Sequence, residues 1–297
     1  VGVAEAGEGE DGRLKSAVGI GALLLDGISD TIRVSLTEDP VLEIPVAEEL
    51  ISLCDVSTLK QIPEVKYCID PYHYQKREVL ESKINGLKIG ADQLVHVGTA
   101  FSSIVTAMPE ERQLEWVWNT PDDKFIELPH LTKTNITCFA SLEELDAIDL
   151  ETKEFTNWAY TGLDNWVGVN RYLASKLKLA NRKDPITLWF EGKDTVSVRM
   201  EVAAKMGSLF CDGIGDMIYV DLGHYASSIN LAYDVLQATG LRRTKTEFIS
   251  CPSCGRTLFD LEEVTAQIKG CTGHLKNVSI AIMGCIVNGP GEMADAD

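Results

Sequence analysis

A long internal repeat places the strongest constraint on how this chain folds. Residues Gly21–Leu36 (GALLLDGISDTIRVSL) align without a gap to residues Gly207–Leu222 (GSLFCDGIGDMIYVDL), with nine of sixteen positions identical. Each copy has the pattern of a helix end, an Asp-Gly turn and a following strand. The spacing of about 186 residues is too long for a solenoid repeat and suits two copies of a whole α/β domain.

Helical and strand-like segments alternate along the chain, which predicts parallel strands covered by helices. The predicted fold class is therefore α/β. The predicted strands are Val1–Ala6, Asp30–Leu36, Leu94–Thr99 and Ile186–Glu191, and the predicted helices are Arg13–Leu25, Val46–Leu53, Val196–Met206 and Leu261–Lys269.

The two copies differ where an anion could bind. The first has Arg33 and Ser35 at the end of its strand, and the second has Tyr219 and Asp221 at the same positions. An arginine and a hydroxyl at the carboxyl end of a barrel strand suit phosphate binding, whereas a tyrosine and an aspartate do not. The second copy is predicted to keep the frame of a barrel without its anion site.

The net negative charge of the chain limits the kinds of partner that it can bind. The chain has 27 basic and 45 acidic residues, a formal charge of −18, which opposes binding to nucleic acid or to an anionic membrane surface. No apolar run reaches the ~18 residues of a membrane span, and the acidic first residues do not resemble a signal peptide. We expect a soluble intracellular protein, and the missing initiator Met suggests an internal piece of a longer one.

A glycine-rich loop near the start imitates a dinucleotide-binding motif. Gly7–Gly12 (GEGEDG) has the GxGxxG spacing, and Glu38 and Asp39 follow the next predicted strand. The loop and the residue before it, however, carry carboxylates that would repel a pyrophosphate, and a helix dipole offers only about half a charge against them. An NAD-dependent dehydrogenase is thus a minor alternative. The carboxylates are those of Glu5, Glu8, Glu10 and Asp11.

Four of the eight cysteines are clustered near the end of the chain, and their spacing is compatible with three kinds of site. An iron–sulfur cluster would use Cys251, Cys254 and Cys285 with a fourth ligand, either Cys271 or Glu292. A zinc site, in a structural protein, would draw on Cys271 and His274 as a second pair. A redox-active CxxC pair is the third alternative, although it leaves Cys285 unused.

The same residues carry a family resemblance. CPSCGRT (Cys251–Thr257) and MGCIVNGPGE (Met283–Glu292) closely resemble the 4-hydroxy-3-methylbut-2-enyl diphosphate synthase family, and so do EAGEGEDGRLKSAVGIG and SDTIRVSLTEDP. The resemblance is to the long, three-domain form. It implies the last part of a TIM barrel at residues 1–55, an inserted degenerate barrel-like domain at 56–246, and the start of an α+β iron–sulfur domain at 247–297.

The resemblance also implies roles for individual residues. It makes Cys251, Cys254, Cys285 and Glu292 the ligands of a [4Fe-4S] cluster. It implies that Arg33, Ser35 and Asn288 bind substrate and that Glu292 and Glu5 are catalytic, although Ala4 stands where the family usually has Thr.

The implied activity is an oxidoreductase step of isoprenoid biosynthesis by the methylerythritol phosphate pathway. A small cyclic diphosphate, 2-C-methyl-D-erythritol 2,4-cyclodiphosphate, is opened by two electrons and loses a hydroxyl. Ferredoxin or flavodoxin is the implied electron donor, and a second copy of the chain is a candidate partner. The implied location is the cytoplasm in a bacterium or the plastid stroma in a photosynthetic eukaryote. This piece alone is expected to be inactive.

Overall fold

The computed structural model describes residues 1–4, 6–53, 74–100, 108–118, 128–131, 135–251, 255–287, 289–294 and 296–297. The chain divides into two compact units. The first unit comprises Val1–Asp55, Arg199–Gly207 and Asp234–Asp297, and the second comprises Val56–Val198 and Ser208–Tyr233.

The first 53 residues are mainly helical. Helix α1 (Gly9–Ser16) continues through a π-helical turn at Ala17–Gly21 into α2 (Ala22–Leu25), and α3 (Glu43–Ser52) follows a short 3-10 turn. The helix predicted at Arg13–Leu25 is therefore present and begins four residues earlier. Acidic residues in its first turn favour that start because they face the positive end of the helix dipole.

In place of the two strands predicted in this region, the described residues form a single β-bridge. Gly2 and Arg33 form an isolated parallel bridge, and the rest of each predicted strand has no ladder within the described part of the chain. The prediction of two full strands is wrong here. A pair of extended segments with no third strand beside it buries little surface, so regular pairing is weak.

A hairpin and a parallel sheet form most of the second unit. The hairpin joins β1 (Ser82–Ile84) to β2 (Leu87–Ile89). The sheet strands are β3 (His96–Ala100), β4 (Trp116–Trp118), β5 (His130–Leu131), β6 (Ile136–Phe139), β7 (Asn157–Tyr160), β8 (Ile186–Glu191) and β9 (Met217–Asp221). The helices between and after them are α4 (Leu142–Ala147), α5 (Trp166–Leu179), α6 (Val196–Cys211) and α7 (Tyr225–Ala238).

The seven strands form one sheet in the order β5-β4-β3-β9-β8-β7-β6, and every neighbouring pair is parallel. Its two edge strands, β5 and β6, are consecutive along the chain, as neighbouring strands of a barrel are. The predicted α/β class with a barrel-like parallel sheet is confirmed.

Aromatic side chains fill one face of this sheet. Trp189 on β8 stacks on Tyr219 on β9 with ring centroids 3.7 Å apart. The ring centroids of Trp116 on β4 and Tyr219 are 5.7 Å apart. All three residues are buried, and burial raises the pKa of Tyr219. Three large aromatic side chains thus pack together in the core of this sheet.

The C-terminal segment from Glu247 onward forms a small β-α-β unit. Strand β10 (Glu247–Ser250) pairs in parallel with β11 (Ser279–Ile282), and α8 (Leu261–Thr272) connects them. A four-residue helix, α9 (Gly289–Glu292), follows. In the register of the pair, Ser250 lies opposite Ile282.

The repeated segments share one turn geometry. In the first copy the N–H of Gly27 bonds to the carbonyl of Leu24, and that of Ile28 bonds to Leu23. The second copy has the same two bonds, from Gly213 to Phe210 and from Ile214 to Leu209. Both glycines have φ near +75°, which only glycine adopts without strain. This is the Schellman helix end that the Asp-Gly dipeptide predicts.

The first glycine of each copy also packs in a reciprocal way. A Cβ added to Gly21 would lie 2.7 Å from Ala204, and one added to Gly207 would lie 2.7 Å from Val18. Val18 and Ala204 occupy equivalent positions of the repeat. The helices of the two copies therefore meet through a pseudo-symmetric contact.

Within the residues described, no helix is both long and apolar enough to cross a bilayer.

Candidate functional site

Two thiols lie at the same end of the C-terminal strand pair. Cys251 directly follows β10, and Cys285 comes three residues after β11. Because the two strands are parallel and Ser250 pairs with Ile282, the segments that follow both strands leave the sheet at its carboxyl edge. The structure thus brings the first and last of the predicted cysteine ligands to one edge.

The sulfur of Cys251 is held in place. It is buried, and the backbone N–H of Gly284 donates a hydrogen bond to Sγ over 3.3 Å. Gly284 precedes Cys285, so this bond ties the two cysteine loops together. Thr257 packs against Gly284 so closely that an added Cβ would lie 2.4 Å from its hydroxyl oxygen. A thiolate that accepts N–H bonds suits a metal site.

Several predicted site residues cannot be located from their side chains. Glu5, Cys254 and Asn288 lie outside the described residues. For Glu292 the backbone alone is described, and it ends helix α9. These four assignments stay predictions.

Arg33 and Ser35 lie on the extended segment that follows the first copy's turn. The Arg33 side chain is exposed and, within the described ranges, makes no ion pair; its backbone N–H bonds to the carbonyl of Val1. Ser35 is buried at 3% exposure. An exposed guanidinium is able to bind an anion.

The same segment ends at Thr37, which contacts the loop of Cys251. The Thr37 hydroxyl lies 2.6 Å from the Ser250 hydroxyl and donates to the carbonyl of Cys251 over 3.2 Å. Its backbone N–H bonds to the carbonyl of Gly7. Thr37 and Ser250 are both almost fully buried. One residue therefore connects the Arg33 segment, the glycine-rich turn and the first cysteine.

A carboxylate binds the helix start in the glycine-rich turn. The Glu38 carboxylate accepts the N–H of Gly9 at the start of α1, where a pyrophosphate would sit in a dinucleotide fold. Arg13 donates two hydrogen bonds to the same carboxylate, and these bonds lower the pKa of Glu38. A carboxylate already occupies the helix N-terminus, which argues against the dehydrogenase alternative.

The other acidic side chains of the turn are paired with basic residues. Glu8 pairs with Lys269 on α8 at 2.6 Å, Glu10 pairs with Arg199, and Asp11 pairs with Lys245. These carboxylates therefore stabilise contacts within the first unit.

Two lysines of this unit, Lys15 and Lys245, also form ion pairs. Lys15 lies 2.6 Å from Glu247 on β10, and Lys245 lies 2.9 Å from Asp234. Burial lowers the pKa of Lys245, but Asp234 and Asp11 outweigh that effect and raise it. The lysine therefore stays charged, and Arg33 stands out because it lacks such a partner among the described side chains.

The zinc alternative finds no support in the described residues. Cys271 is exposed on α8, His274 is exposed beyond it, and no group of three His, Cys, Asp or Glu side chains in the described ranges is arranged to hold a metal. The set of Cys251, Cys254 and Cys285 falls outside that test because Cys254 is not described.

The corresponding site in the second copy is filled. Tyr219, at the position of Arg33, is buried in the stack with Trp189, and Asp221, at the position of Ser35, accepts the N–H of Gly223. Neither residue offers a cation or a free hydroxyl to a phosphate.

The contacts of Thr37 and Gly284 were not predicted from the sequence. A weak signal existed for Thr37, because Arg33, Ser35 and Thr37 alternate along one extended segment and so face the same way. Its bond to a residue 214 positions away could not be inferred from that alternation. Gly284 carried only the general signal of a glycine beside a cysteine.

Comparison with known proteins identifies two family segments. Residues 1–48 match the GcpE TIM-barrel domain, and residues 247–297 match the GcpE protein C-terminal domain. The whole chain is similar to proteins named 4-hydroxy-3-methylbut-2-en-1-yl diphosphate synthase (flavodoxin). It is 39% identical to that of Akkermansia muciniphila, 40% to that of Porphyromonas gingivalis and 33% to that of Chlorobaculum tepidum. The resemblance predicted from the end motifs is confirmed.

All of this chain is covered in those alignments, but the reverse is not true. The chain spans about half the length of the curated relatives it matches, 51%, 52% and 54% respectively.

Proposed function

Because this chain carries parts of both GcpE domains, we propose that it belongs to an iron–sulfur oxidoreductase of isoprenoid biosynthesis. Its reaction is the reductive opening of 2-C-methyl-D-erythritol 2,4-cyclodiphosphate to 4-hydroxy-3-methylbut-2-enyl diphosphate. The observation that carries the proposal is the meeting of Cys251 and Cys285 at one edge of a parallel strand pair, in a chain related throughout to enzymes of that name.

The proposed cofactor is a [4Fe-4S] cluster held by Cys251, Cys254, Cys285 and Glu292. The donor set fits such a group, because three soft thiolates suit iron–sulfur clusters and the N–H of Gly284 already points at one of the sulfurs. Such a cluster supplies single electrons and a Lewis-acidic iron.

Arg33, Ser35 and Asn288 are proposed to bind the substrate. The exposed Arg33 guanidinium, which has no ion-pair partner among the residues that the structure describes, would form charge-assisted hydrogen bonds with a phosphate, and Ser35 would add a neutral donor. Asn288 would hold the hydroxyl groups. This fixes the diphosphate while the carbon skeleton reacts, which is a contribution from positioning.

Glu292 and Glu5 are proposed as the catalytic carboxyl groups. Two electrons enter, the carbon–oxygen bond that closes the ring breaks, and the hydroxyl leaves as water after it receives a proton. Glu292 would be a hard and weakly held ligand beside three thiolates, and would be suited to deliver that proton. Glu5 would face the same substrate from the glycine-rich turn.

Flavodoxin is the proposed electron donor, with ferredoxin as the alternative, because the relatives are named for flavodoxin. The proposed domains are residues 1–55 of a TIM barrel, an insertion at 56–246, and the first part of the cluster domain at 247–297. We place the protein in a bacterial cytoplasm, since the relatives named above are bacterial. A homodimer is part of the same proposal.

Metal analysis tests the cofactor directly. The protein with its natural ends is purified without oxygen, and its iron, acid-labile sulfide and zinc are measured. About four irons and four sulfides per chain would support the cluster. Stoichiometric zinc without sulfide would refute it and leave a zinc-stabilised structural protein.

Steady-state kinetics test the substrate site. Arg33→Gln is expected to raise KM for the cyclic diphosphate at least about tenfold, because a charged phosphate contact is lost. The matched control is Arg13→Gln, whose side chain is bound to Glu38. An unchanged KM in Arg33→Gln would contradict the role of Arg33.

A further inference from the structure

We infer that Thr37 is a positioning residue that holds the first cluster cysteine at a fixed place relative to the substrate-binding segment. This inference rests on the proposed function, because it concerns how the diphosphate site and the thiolate site are kept together.

The contacts of Thr37 reach both sites. It lies two residues after Ser35 on the same extended segment, and its hydroxyl bonds to the Ser250 hydroxyl and the Cys251 carbonyl. Its backbone N–H is bound to Gly7 in the turn that follows Glu5. Thr37 thus stands between the proposed anion ligands and the proposed metal ligand.

The hydrogen bonds of the Thr37 hydroxyl are buried, so water cannot easily replace them. Thr37 is 3% exposed, Ser250 1% and Cys251 9%. Water has little access to these groups, so loss of the Thr37 hydroxyl would leave the Cys251 carbonyl without this donor and the Ser250 hydroxyl without this partner. Unsatisfied buried polar groups are unfavourable, and the Cys251 loop would shift to reach new partners.

The consequence for the reaction is specific. Arg33 and Ser35 lie before Thr37 and keep their own contacts, so substrate binding should survive the loss of the hydroxyl. The distance between the bound substrate and the metal ligands would no longer be fixed. A positioning residue of this kind affects kcat more than KM.

The test compares Thr37→Val with Thr37→Ser in the full-length protein. Valine keeps the shape and removes the hydroxyl, whereas serine keeps the hydroxyl. Thr239→Val is the matched control, because the Thr239 hydroxyl bonds to carbonyls of helix α7 before it, in the same unit. Ser250→Ala removes the partner hydroxyl and serves as a second variant if Thr37→Val folds poorly.

The first readout needs neither cluster nor substrate. Metal-free protein is treated with iodoacetamide, and alkylation of the peptide that contains Cys251 is followed by mass spectrometry. The expected result is about tenfold faster alkylation in Thr37→Val, with wild-type rates in Thr37→Ser and Thr239→Val. Equal rates in Thr37→Val and the wild type would overturn the inference, and so would equal acceleration in both Thr37 variants.

The second readout uses the reconstituted enzyme. The electron paramagnetic resonance spectrum of the reduced cluster should be altered in Thr37→Val and restored in Thr37→Ser, with kcat reduced about tenfold and KM unchanged. A wild-type spectrum and kcat in Thr37→Val would refute the positioning role. Absence of iron or turnover in the wild type would instead refute the proposed function, and the alkylation rates would still decide the role of Thr37.

Discussion

Arg77 and Asp216 form a buried ion pair in the second unit, and its disruption offers a quantitative test of the structure. Arg77 Nη2 lies 3.2 Å from Asp216 Oδ2, and the two side chains are 10% and 3% exposed. Asp216 also accepts the N–H of Ile186, the first residue of β8. The pair therefore fixes the segment before β1 to the centre of the sheet.

Arg77→Met should lower the free energy of unfolding of this unit by about 3–5 kcal/mol, because it leaves an uncompensated carboxylate in the interior. Asp216→Asn should cost less, about 1–3 kcal/mol, since the amide oxygen can still accept the Ile186 N–H and Arg77 keeps its bond to the carbonyl of Asp184. The double variant should lose less than the sum of the two single losses, by at least about 1 kcal/mol.

Urea unfolding followed by tryptophan fluorescence measures the free energy of unfolding of the second unit. All five tryptophans lie between residues 116 and 189, within the second unit, so their emission reports on it alone. Unfolding of the first unit is followed separately through the far-ultraviolet dichroism that remains. A loss below about 1 kcal/mol in Arg77→Met, or strict additivity in the double variant, would show that the pair is not buried and coupled.

The loss in Arg77→Met should also depend on pH. Burial raises the pKa of Asp216 above that of the unfolded chain, and removal of Arg77 takes away the charge that opposes this effect. The native state therefore takes up the proton first as pH falls. The deficit should be largest at about pH 8 and should shrink toward about pH 5, as Asp216 becomes neutral. A deficit that grows on acidification would contradict the assignment.

Three further predictions concern the cluster residues and the aromatic core. Cys285→Ser should lose iron, sulfide and turnover together, whereas Cys271→Ser, exposed on α8, should retain all three; the reverse result would move the fourth ligand to Cys271. Glu292→Gln should keep most of the iron and slow kcat about a hundredfold, and wild-type kcat would exclude its role as an acid. Gly98→Ala should destabilise the second unit by about 1–3 kcal/mol in urea, because its Cβ would lie 2.1 Å from the Trp116 ring; wild-type stability would mean that the ring is not there.

The repeat shows how much of the fold local sequence could predict. The Asp-Gly turns, the strand at Ile186–Glu191 and the helix starting at Val196 all agree with the structure. These features depend on nearest neighbours: glycine is required where φ is positive, and apolar runs mark buried strands. The two strands predicted at the start failed for the opposite reason, because a strand exists only when another part of the chain pairs with it.

The glycine-rich turn illustrates the same limit at the level of function. The repulsion between its carboxylates and a pyrophosphate followed from the sequence, but the identity of their partners did not. Glu8 pairs with a lysine 261 residues away, and the Glu38 carboxylate accepts the backbone N–H of Gly9 at the start of α1. Charge count predicts what a loop repels, whereas tertiary structure decides what neutralises it.

From the sequence we could predict the α/β class, a duplication, the turn chemistry and the candidate ligands Cys251 and Cys285. These are properties of residue type and spacing. Three results came from the folded chain: Cys251 and Cys285 share one sheet edge, Arg33 has no ion-pair partner among the described residues, and Thr37 bonds to Cys251. Each of these results is a contact between distant segments, and such contacts are set by how the whole unit buries its surface and satisfies its polar groups.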